Sequence, residues 1–371
     1  MEVKLNDSKI KNRLFFELLK VSLTDTNRLS RVYSNEEWRD AYTMAQNQSL
    51  TGVLLEGVNK LESDQKPFYE LKIEWILTVE RIKKSNTYLN SKAVELTEML
   101  AKRGMRSCIL KGQGIGLYYP DPMVRCPGDI DAWVDSDRRT IVQLVREKFP
   151  NEDIVYHHAE YPIFDDVEVE LHFTPSWMCS YWHNRRLQHI FADMKAQQFT
   201  NLVLLPYTDK KVSVPTREFN MLFILSHIYR HLFSEGIGMR QLVDYYYVLR
   251  QCEDKGERER VVKRLKSLGM MRFTRGVMFI MKEIFGLEDK YLLTEPNEKD
   301  GTFLLNEIMR SGNFGILAPV INYRNKLKKL WFALKRNARF ITYYPSESIW
   351  NVFFRIWQYF WRWKNGYIKR N

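Results

Sequence analysis

Two short stretches of alternating apolar and polar residues constrain the fold of this chain more than any other feature. In the first, residues 128–134, the alternation has the period of two that is typical of a β-strand. Asp129 and Asp131 therefore lie on the same side of the predicted strand. Two carboxylates held close together raise each other's pKa unless a cation lies between them. The stretch therefore predicts a site for a divalent metal ion.

The second stretch, residues 167–173, alternates in the same way and places Glu168, Glu170 and His172 on one face. If this strand pairs beside the first, a third carboxylate reaches the same site. Three carboxylates form a hard oxygen cage that suits Mg²⁺, which completes its coordination with waters and substrate phosphates. Such a cage favours phosphoryl or nucleotidyl transfer. The alternation alone does not separate Glu168 from Glu170 as the third acid.

A glycine turn, an Asp-x-Asp strand and a later acidic strand resemble the nucleotidyltransferase superfamily that includes DNA polymerase beta. The chain is more closely similar to a bacterial family of uncharacterised nucleotidyltransferases, chiefly through its middle third. The matching residues and motifs are, in chain order, Lys111-Gly112, Tyr119-Pro120-Asp121-Pro122, Arg125, Gly128-Asp129-Ile130-Asp131 and Val169-Glu170-Leu171-His172.

The resemblance implies catalytic and metal-binding roles for Asp129, Asp131 and Glu170, with Mg²⁺ or Mn²⁺ as the cofactor and an NTP as a substrate. Glu170 is preferred to Glu168 because the Val-Glu-Leu-His run aligns there. In this scheme Glu170 helps to hold the metal ion that activates the acceptor hydroxyl. We interpret His172 either as a residue that orients a metal-binding carboxylate or as a core histidine bonded to the backbone.

Residues near the glycine turn are the candidates for nucleotide binding. Glycine lets the backbone approach a triphosphate and present its N–H groups, while lysine and arginine neutralise phosphate charge. For both cations an ordinary surface position is an equal alternative. The predicted nucleotide-binding residues are Lys111, Gly112, Gly114, Arg125 and Gly128.

Three further pairs receive no catalytic assignment. His227 and His231 lie one helical turn apart but lack the adjacent glutamate of a metalloprotease, so we interpret them as packing or surface residues. Arg240 and Asp244 have the spacing of a helix salt bridge, and a substrate-side role for them stays open. No partner is predicted for the adjacent pair His157-His158.

The predicted elements run in the order helices, strands, helices. With 371 residues, of which 45% are hydrophobic, the chain can bury one large core or two ordinary ones. Ser34 and Glu37 predict a capping box, and residues 68–103 predict either one long helix or two that break near Asn86. We expect an α/β (α+β) fold in which a small mixed sheet carries the metal acids between helical regions. The predicted regions are 1–104 (N-terminal helical), 105–215 (catalytic), 216–320 (helical) and 321–371 (basic aromatic helical tail).

The net charge of +12 is concentrated in the tail, because residues 321–371 contain twelve basic residues and one acid, Glu347. Helices are predicted over residues 325–340 and 348–364, and in the second one basic residues lie opposite an aromatic side. Docking on the protein's own core is the preferred interpretation, while an interfacial membrane helix and a surface for single-stranded nucleic acid stay open. The aromatic side comprises Trp350, Phe353, Phe354, Trp357, Phe360 and Trp361.

The cysteines and the start of the chain favour a reducing cytoplasm. None of the four cysteines belongs to a Cys-x-x-Cys pair, which argues against a zinc knuckle or a disulfide framework. The charged N-terminus lacks the apolar run of a signal peptide, and no stretch has the roughly 18 apolar residues of a spanning helix. We therefore expect a cytoplasmic protein.

Together these features predict a Mg²⁺-dependent nucleotidyltransferase that moves an NMP from an NTP to an acceptor hydroxyl or phosphate. A small or sugar-like metabolite is the preferred acceptor, because the region around the acids lacks the basic surface that RNA requires; a protein side chain is next. The alternatives are a nucleotide-binding regulatory module without turnover, and a protein that binds membrane or nucleic acid through its basic tail. For that tail, peripheral membrane contact is preferred to nucleic acid.

Overall fold

The computed structural model describes residues 12–234, 236–311 and 337–367. Its first part is helical, as predicted. The Ser34 hydroxyl accepts the Glu37 N–H at 3.3 Å, and the Ser34 N–H donates to the Glu37 carboxylate at 3.0 Å, which confirms the capping box. The helices of this part are α1 (Arg13–Leu23), α2 (Asn35–Asn47), α3 (Thr51–Lys60) and α4 (Tyr69–Lys102).

Helix α4 is one continuous helix of 34 residues, which excludes the alternative with a break near Asn86. The Asn86 side-chain amide donates to the carbonyls of Met123 and Arg125 at 2.7 and 2.8 Å. Nearer its start the helix buries Trp75, whose indole N–H donates to the Thr51 carbonyl at 2.8 Å. The long helix therefore braces the loop that leads into the acidic strand.

The sheet that carries the acids has four strands, β1 (Ser107–Leu110), β2 (Ile130–Val134), β3 (His158–Glu160) and β4 (Val169–His172). They lie in the order β1, β2, β4, β3. Strand β2 is antiparallel to β1 and parallel to β4, and β3 is antiparallel to β4. In the parallel pair Asp131 lies directly opposite Glu170. The prediction that the two acidic strands are neighbours is therefore confirmed.

Both faces of this sheet are covered, so every residue of β2 is buried. Asp131 shares a face with Trp133, whose ring stacks on Phe219 with the ring centroids 5.8 Å apart. Ile130 and Ala132, on the other face, belong to a second hydrophobic core. The acid side of β2 therefore faces packed helices rather than bulk water.

The strands are connected by α5 (Gly112–Gly116) and α6 (Arg138–Lys148), and α7 (Tyr181–Gln198) leads to a hairpin of β5 (Leu202–Leu204) and β6 (Lys211–Ser213). Asp137 caps α6 by accepting the N–H groups of Arg139 and Thr140 at 2.8 and 3.2 Å. Parallel strands need a crossover connection, and α6 supplies it between β2 and β4.

The C-terminal half is helical, and the predicted helices are confirmed where the structure describes them. The predicted helix at 325–340 lies largely outside the described residues. Within those residues no helix combines the length and the apolar composition needed to cross a membrane. The helices are α8 (Arg217–Ser234), α9 (Met239–Arg250), α10 (Lys255–Ser267), α11 (Met271–Phe279), which continues as a π-helix over Ile280–Ile284, α12 (Glu298–Ser311) and α13 (Pro345–Lys364); short 3₁₀ turns lie at Ser63–Gln65, Pro122–Val124 and Asp289–Tyr291.

Helix α13 docks on the rest of the protein through both polar and aromatic residues, and Phe354 stacks on Trp177 with the ring centroids 4.1 Å apart. Glu347 is buried, and its carboxylate accepts the N–H groups of Cys179 and Ser180 immediately before α7. Part of the predicted aromatic side stays outside the contact, with Phe353 and Phe360 each 59% exposed. The expectation that the aromatic side is the docking face is therefore wrong for these two residues.

Candidate active site

Asp131 and Glu170 approach the same point from neighbouring strands β2 and β4. Asp131 Oδ1 and Glu170 Oε2 lie 2.7 and 3.1 Å from the same atom, His172 Nε2. One ligand atom from each of these three side chains lies within 4.8 Å of the other two. Asp129, immediately before β2, lines the same cavity as Glu170. The three acids predicted from the sequence therefore lie around one site.

The two aspartates have different electrostatic surroundings. Asp131 raises the pKa of Asp129 to about 6, and burial adds to that effect. Burial would also raise the pKa of Asp131, but Lys111 and His172 outweigh it and the pKa of Asp131 is lowered. Repulsion between the aspartates thus persists although a lysine is present. This arrangement favours the binding of a further cation.

Glu170 reaches the site and Glu168 does not. Glu168 is exposed and precedes the start of β4; its backbone carbonyl accepts the Ile130 N–H at 2.9 Å. The Glu170 side chain is 25% exposed, and its Oε2 lies 2.8 Å from His158 Nδ1. Burial would raise the pKa of Glu170, but His158 and His172 outweigh it and lower that pKa.

Lys111 lies between β1 and α5, next to the acids. Its Nζ is 2.7 Å from Asp131 Oδ1. Burial would lower the pKa of Lys111, but Asp131 and Asp129 outweigh it and raise that pKa. The φ of Lys111 is +50°, in the left-handed region that residues with a side chain seldom adopt. Backbone strain of this kind is typical of functional sites.

The three glycines predicted to bind nucleotide lie in different surroundings. Gly112 and Gly128 line the cavity beside the acids. Gly114 is buried, and a Cβ added there would lie 3.1 Å from the side chain of Val214. The need for glycine at position 114 is therefore explained by close packing against the residue that follows β6.

Arg125 forms a buried ion pair with Asp244 of α9. Its Nε and Nη2 donate to the two carboxylate oxygens at 2.8 and 2.9 Å, and the Tyr119 hydroxyl donates to the same carboxylate at 2.7 Å. The predicted helix pair of Asp244 with Arg240 is therefore corrected, since Arg240 Nη1 donates to the Cys126 carbonyl at 3.2 Å. The Nε and Nη2 groups of Arg125, which were predicted to bind a phosphate, are therefore hydrogen-bonded to Asp244 within the protein.

A cavity of about 550 Å³ adjoins the acids. The sheet side contributes Asp129 and Glu170, and the helices α8, α9 and α13 contribute Arg230, Arg240 and Arg355. The volume is in the range of small-molecule sites. Carboxylates and guanidinium groups around one cavity suit a polyanion that carries a metal ion. The arginine of α13 was not identified from the sequence, because only packing brings the tail to this cavity.

The sequence analysis found no partner for His157 and His158, and the structure supplies one for each. The Trp177 indole N–H donates to His157 Nδ1 at 3.2 Å, and burial lowers the pKa of His157 well below its usual value. His158 lies in register with His172 across β3 and β4, which brings it to Glu170. The sequence shows only that the two histidines are adjacent. Their partners depend on the order of the strands in the sheet.

His227 and His231 of α8 are buried with their ring centroids 4.3 Å apart, as a packing role predicts. Both also line the cavity, which corrects the interpretation of them as packing or surface residues alone. Burial lowers the pKa of His227 well below its usual value, and Lys111 adds to that effect. A neutral imidazole in this position is suited to hydrogen bonding with a polar ligand.

Two groups of side chains in the described part of the chain have the spacing of metal ligands. They are Asp131, Glu170 and His172 in one group and His157, His158 and His172 in the other. The first group is rich in oxygen and has Asp129 beside it, so it suits Mg²⁺ or Mn²⁺, whereas the all-nitrogen group suits a softer ion. Because the pKa of Asp129 is raised to about 6 by acidic charge that is not balanced, the residues present fit a hard divalent ion.

Among known protein families, one matches most of this chain. The family is described as uncharacterised nucleotidyltransferase, and the match extends over residues 34–286. The crystal structure of an antigenic nucleotidyltransferase-like protein from Paracoccidioides brasiliensis is similar over 55% of this chain and 93% of that chain, at 13% identity and a TM-score of 0.29. A structural likeness this low carries no argument about the site. No curated protein matches the chain.

Proposed function

Because the chain belongs to the family of uncharacterised nucleotidyltransferases, we propose that it transfers a nucleoside monophosphate from an NTP to an acceptor hydroxyl or phosphate. The observation that carries the proposal is the in-register pair of Asp131 and Glu170, with Asp129 beside them. The acceptor oxygen forms a bond to the α-phosphorus. The bond from that phosphorus to the bridging oxygen breaks, and pyrophosphate leaves with the electron pair.

In this proposal Asp129, Asp131 and Glu170 would hold Mg²⁺ or Mn²⁺, which would neutralise negative charge that develops in the reaction. Glu170 lines the cavity and takes the proton of the acceptor hydroxyl. Its ionised form, the form that can bind a metal ion or accept a proton, is favoured by His158 and His172. His172 contacts two of the carboxylates at 2.7 and 3.1 Å and keeps them at a fixed separation.

Binding of the triphosphate is assigned to basic groups and glycines of the cavity. On the sheet side these are Lys111, Gly112 and Gly128. Gly114 and Arg125 act indirectly, because one packs against Val214 and the other is engaged by Asp244. On the helical side the assigned residues are Arg230, Arg240 and Arg355. Guanidinium groups suit this role because their donors match phosphate oxygens in pairs.

The acceptor that we propose is a small or sugar-like metabolite, with a protein side chain as the second choice. A cavity of about 550 Å³ lies within the range that encloses drug-sized molecules. The cytoplasm is the proposed place of action, since all four cysteines are free and unpaired cysteines are usual in a reducing compartment.

Pyrophosphate release tests the proposal. The full chain is incubated with each of the four NTPs, with Mg²⁺ or Mn²⁺, and with a cell extract that supplies acceptors. Glu170→Gln is expected to lower the rate by about 10²–10⁴-fold, because it removes both a metal-binding carboxylate and the proton acceptor. Glu168→Gln is the matched control, since the same change is made at an exposed position two residues away. Equal rates in the two variants, or no release by the wild type, would rule the proposal out.

A nucleotide-binding regulatory module without turnover is the second candidate. The contact of 2.7 Å between Lys111 Nζ and Asp131 Oδ1 favours it, because a resident ammonium group already neutralises one of the acids. Calorimetry separates the two candidates when it is combined with the release assay. The module binds an NTP in the presence of Mg²⁺ and releases no pyrophosphate, whereas the transferase does both.

A further inference from the structure

Five large apolar residues of α13 are spaced by four, three, four and three positions, so they lie along one face of the helix. All of them are exposed, although α13 is docked on the protein. We call this set the outer stripe. It consists of Ile349 (48% exposed), Phe353 (59%), Ile356 (49%), Phe360 (59%) and Trp363 (69%).

The opposite edge of α13 is the one that holds the helix in place. Asn351 is buried and its Nδ2 donates to Cys179 Sγ at 3.1 Å. Arg362 Nη2 donates to the Asp153 carboxylate at 2.7 Å, and Arg355 lines the cavity. These contacts fix the helix without the outer stripe, so its exposed apolar surface is left for another partner.

The charge of the sequence segment that contains α13 favours an anionic partner. Residues 321–371 contain twelve basic residues and a single acid, Glu347. That acid is 2% exposed, so it adds almost nothing to the surface. Lys364 is exposed next to Trp363 at the end of the stripe. An apolar aromatic face on a helix of a strongly basic segment is typical of a helix that lies in a membrane interface.

We propose that the outer stripe of α13 binds the interface of an anionic lipid bilayer. Tryptophan and phenylalanine partition into the interfacial region, and the lysines and arginines of residues 321–371 are attracted to acidic headgroups. The inner edge of the same helix lines the cavity, through Asn351 and Arg355 among others. Attachment would therefore hold the cavity about one helix diameter, roughly 10 Å, from the lipid surface.

Two other partners fit the stripe less well. A second copy of the helix would meet an equally basic partner, without the acidic residues that flank the seam of a stable helix pair. Single-stranded nucleic acid stacks on aromatic rings that alternate with cations. In the stripe Ile349 precedes the rings and Ile356 separates two of them, and no cation belongs to it.

Co-sedimentation of the full chain with vesicles tests the proposal. The vesicles are made of phosphatidylcholine alone or of phosphatidylcholine with phosphatidylglycerol. The wild type is expected to sediment with the anionic vesicles and much less with the neutral ones. A Phe353→Ser, Phe360→Ser double variant should bind the anionic vesicles at least about tenfold more weakly, because two large apolar side chains are lost from the interface.

Tyr69→Ser is the matched control, because Tyr69 is an aromatic residue 73% exposed at the start of another helix, α4. Pyrophosphate release in the absence of vesicles checks that the double variant keeps an intact site. The proposal is overturned if the wild type binds neither kind of vesicle. It is also overturned if the double variant binds as well as Tyr69→Ser, or if the double substitution only dissociates a dimer in sedimentation equilibrium.

Discussion

Asp131 is the residue around which the charges of the site are arranged. Lys111 Nζ and His172 Nε2 both lie 2.7 Å from its Oδ1. Burial would lower the pKa of His172, but its hydrogen bonds with Asp131 and Glu170 outweigh burial and raise that pKa. The same oxygen of this buried carboxylate thus contacts both a lysine and an imidazole. We expect Lys111 to exchange Asp131 for a substrate phosphate when nucleotide binds.

Arg355→Gln is predicted to raise the KM for the NTP by about 10–100-fold, with a smaller effect on kcat. The physical reason is the loss of a charge-assisted hydrogen bond that substrate and transition state share. Lys364→Gln is the control, because Lys364 is an exposed basic residue of the same helix that does not line the cavity. Steady-state kinetics measure both variants. If the two variants have the same KM for the NTP, Arg355 is not a phosphate-binding residue.

At the scale of elements, the pair of Arg125 and Asp244 joins the loop before β2 to helix α9. Asp244→Asn keeps the shape of the side chain but leaves a buried guanidinium without its counter-charge. We expect the free energy of unfolding to fall by about 3–5 kcal/mol. Tyr119→Phe removes one hydrogen bond to the same carboxylate and should cost about 1 kcal/mol. Urea unfolding measures both, and equal losses would contradict a buried ion pair.

Glu347 joins α13 to the start of α7, and its burial raises the pKa of the carboxyl from 4.5 to about 7. The folded protein therefore binds this proton more tightly than the unfolded chain. The stabilising contribution is complete below pH 4.5 and is lost as the pH rises to about 7. In the wild type, the free energy of unfolding should fall by at most about 3 kcal/mol across that pH window. Glu347→Gln should abolish this fall. A difference between wild type and variant that does not change with pH would contradict this.

Strands β2 and β4 could be predicted because alternation is a local property of the sequence, and it places Asp129 and Asp131 on one side. Glu170 was preferred to Glu168 through the family resemblance. The end of a strand is harder to predict. Strand β4 begins at Val169, so Glu168 lies just outside it. Contacts between residues that are far apart in the sequence cannot be predicted from local sequence patterns. Glu347 and Cys179, for example, are 168 residues apart, and only tertiary packing brings the tail to the cavity.

At the scale of the whole molecule, the helical regions contribute to the site as well as surrounding the sheet. Helices α8, α9 and α13 supply most of the basic lining, while the sheet side supplies Asp129, immediately before β2, and Glu170 of β4. The family match ends at residue 286, so the lining from α13, including Asn351 and Arg355, lies beyond it. We therefore expect features of the cavity that are particular to this chain to lie in the part lined by α13.

The most direct test of the metal site is a crystal structure of the full chain with Mn²⁺ and a non-hydrolysable NTP analogue, in which anomalous scattering locates the manganese. We predict Mn²⁺ within about 2.0–2.5 Å of carboxylate oxygens from Asp129, Asp131 and Glu170, with the triphosphate bound to it. Manganese bound instead to the nitrogens of His157 and His158, or a nucleotide bound with no manganese beside the acids, would contradict the account.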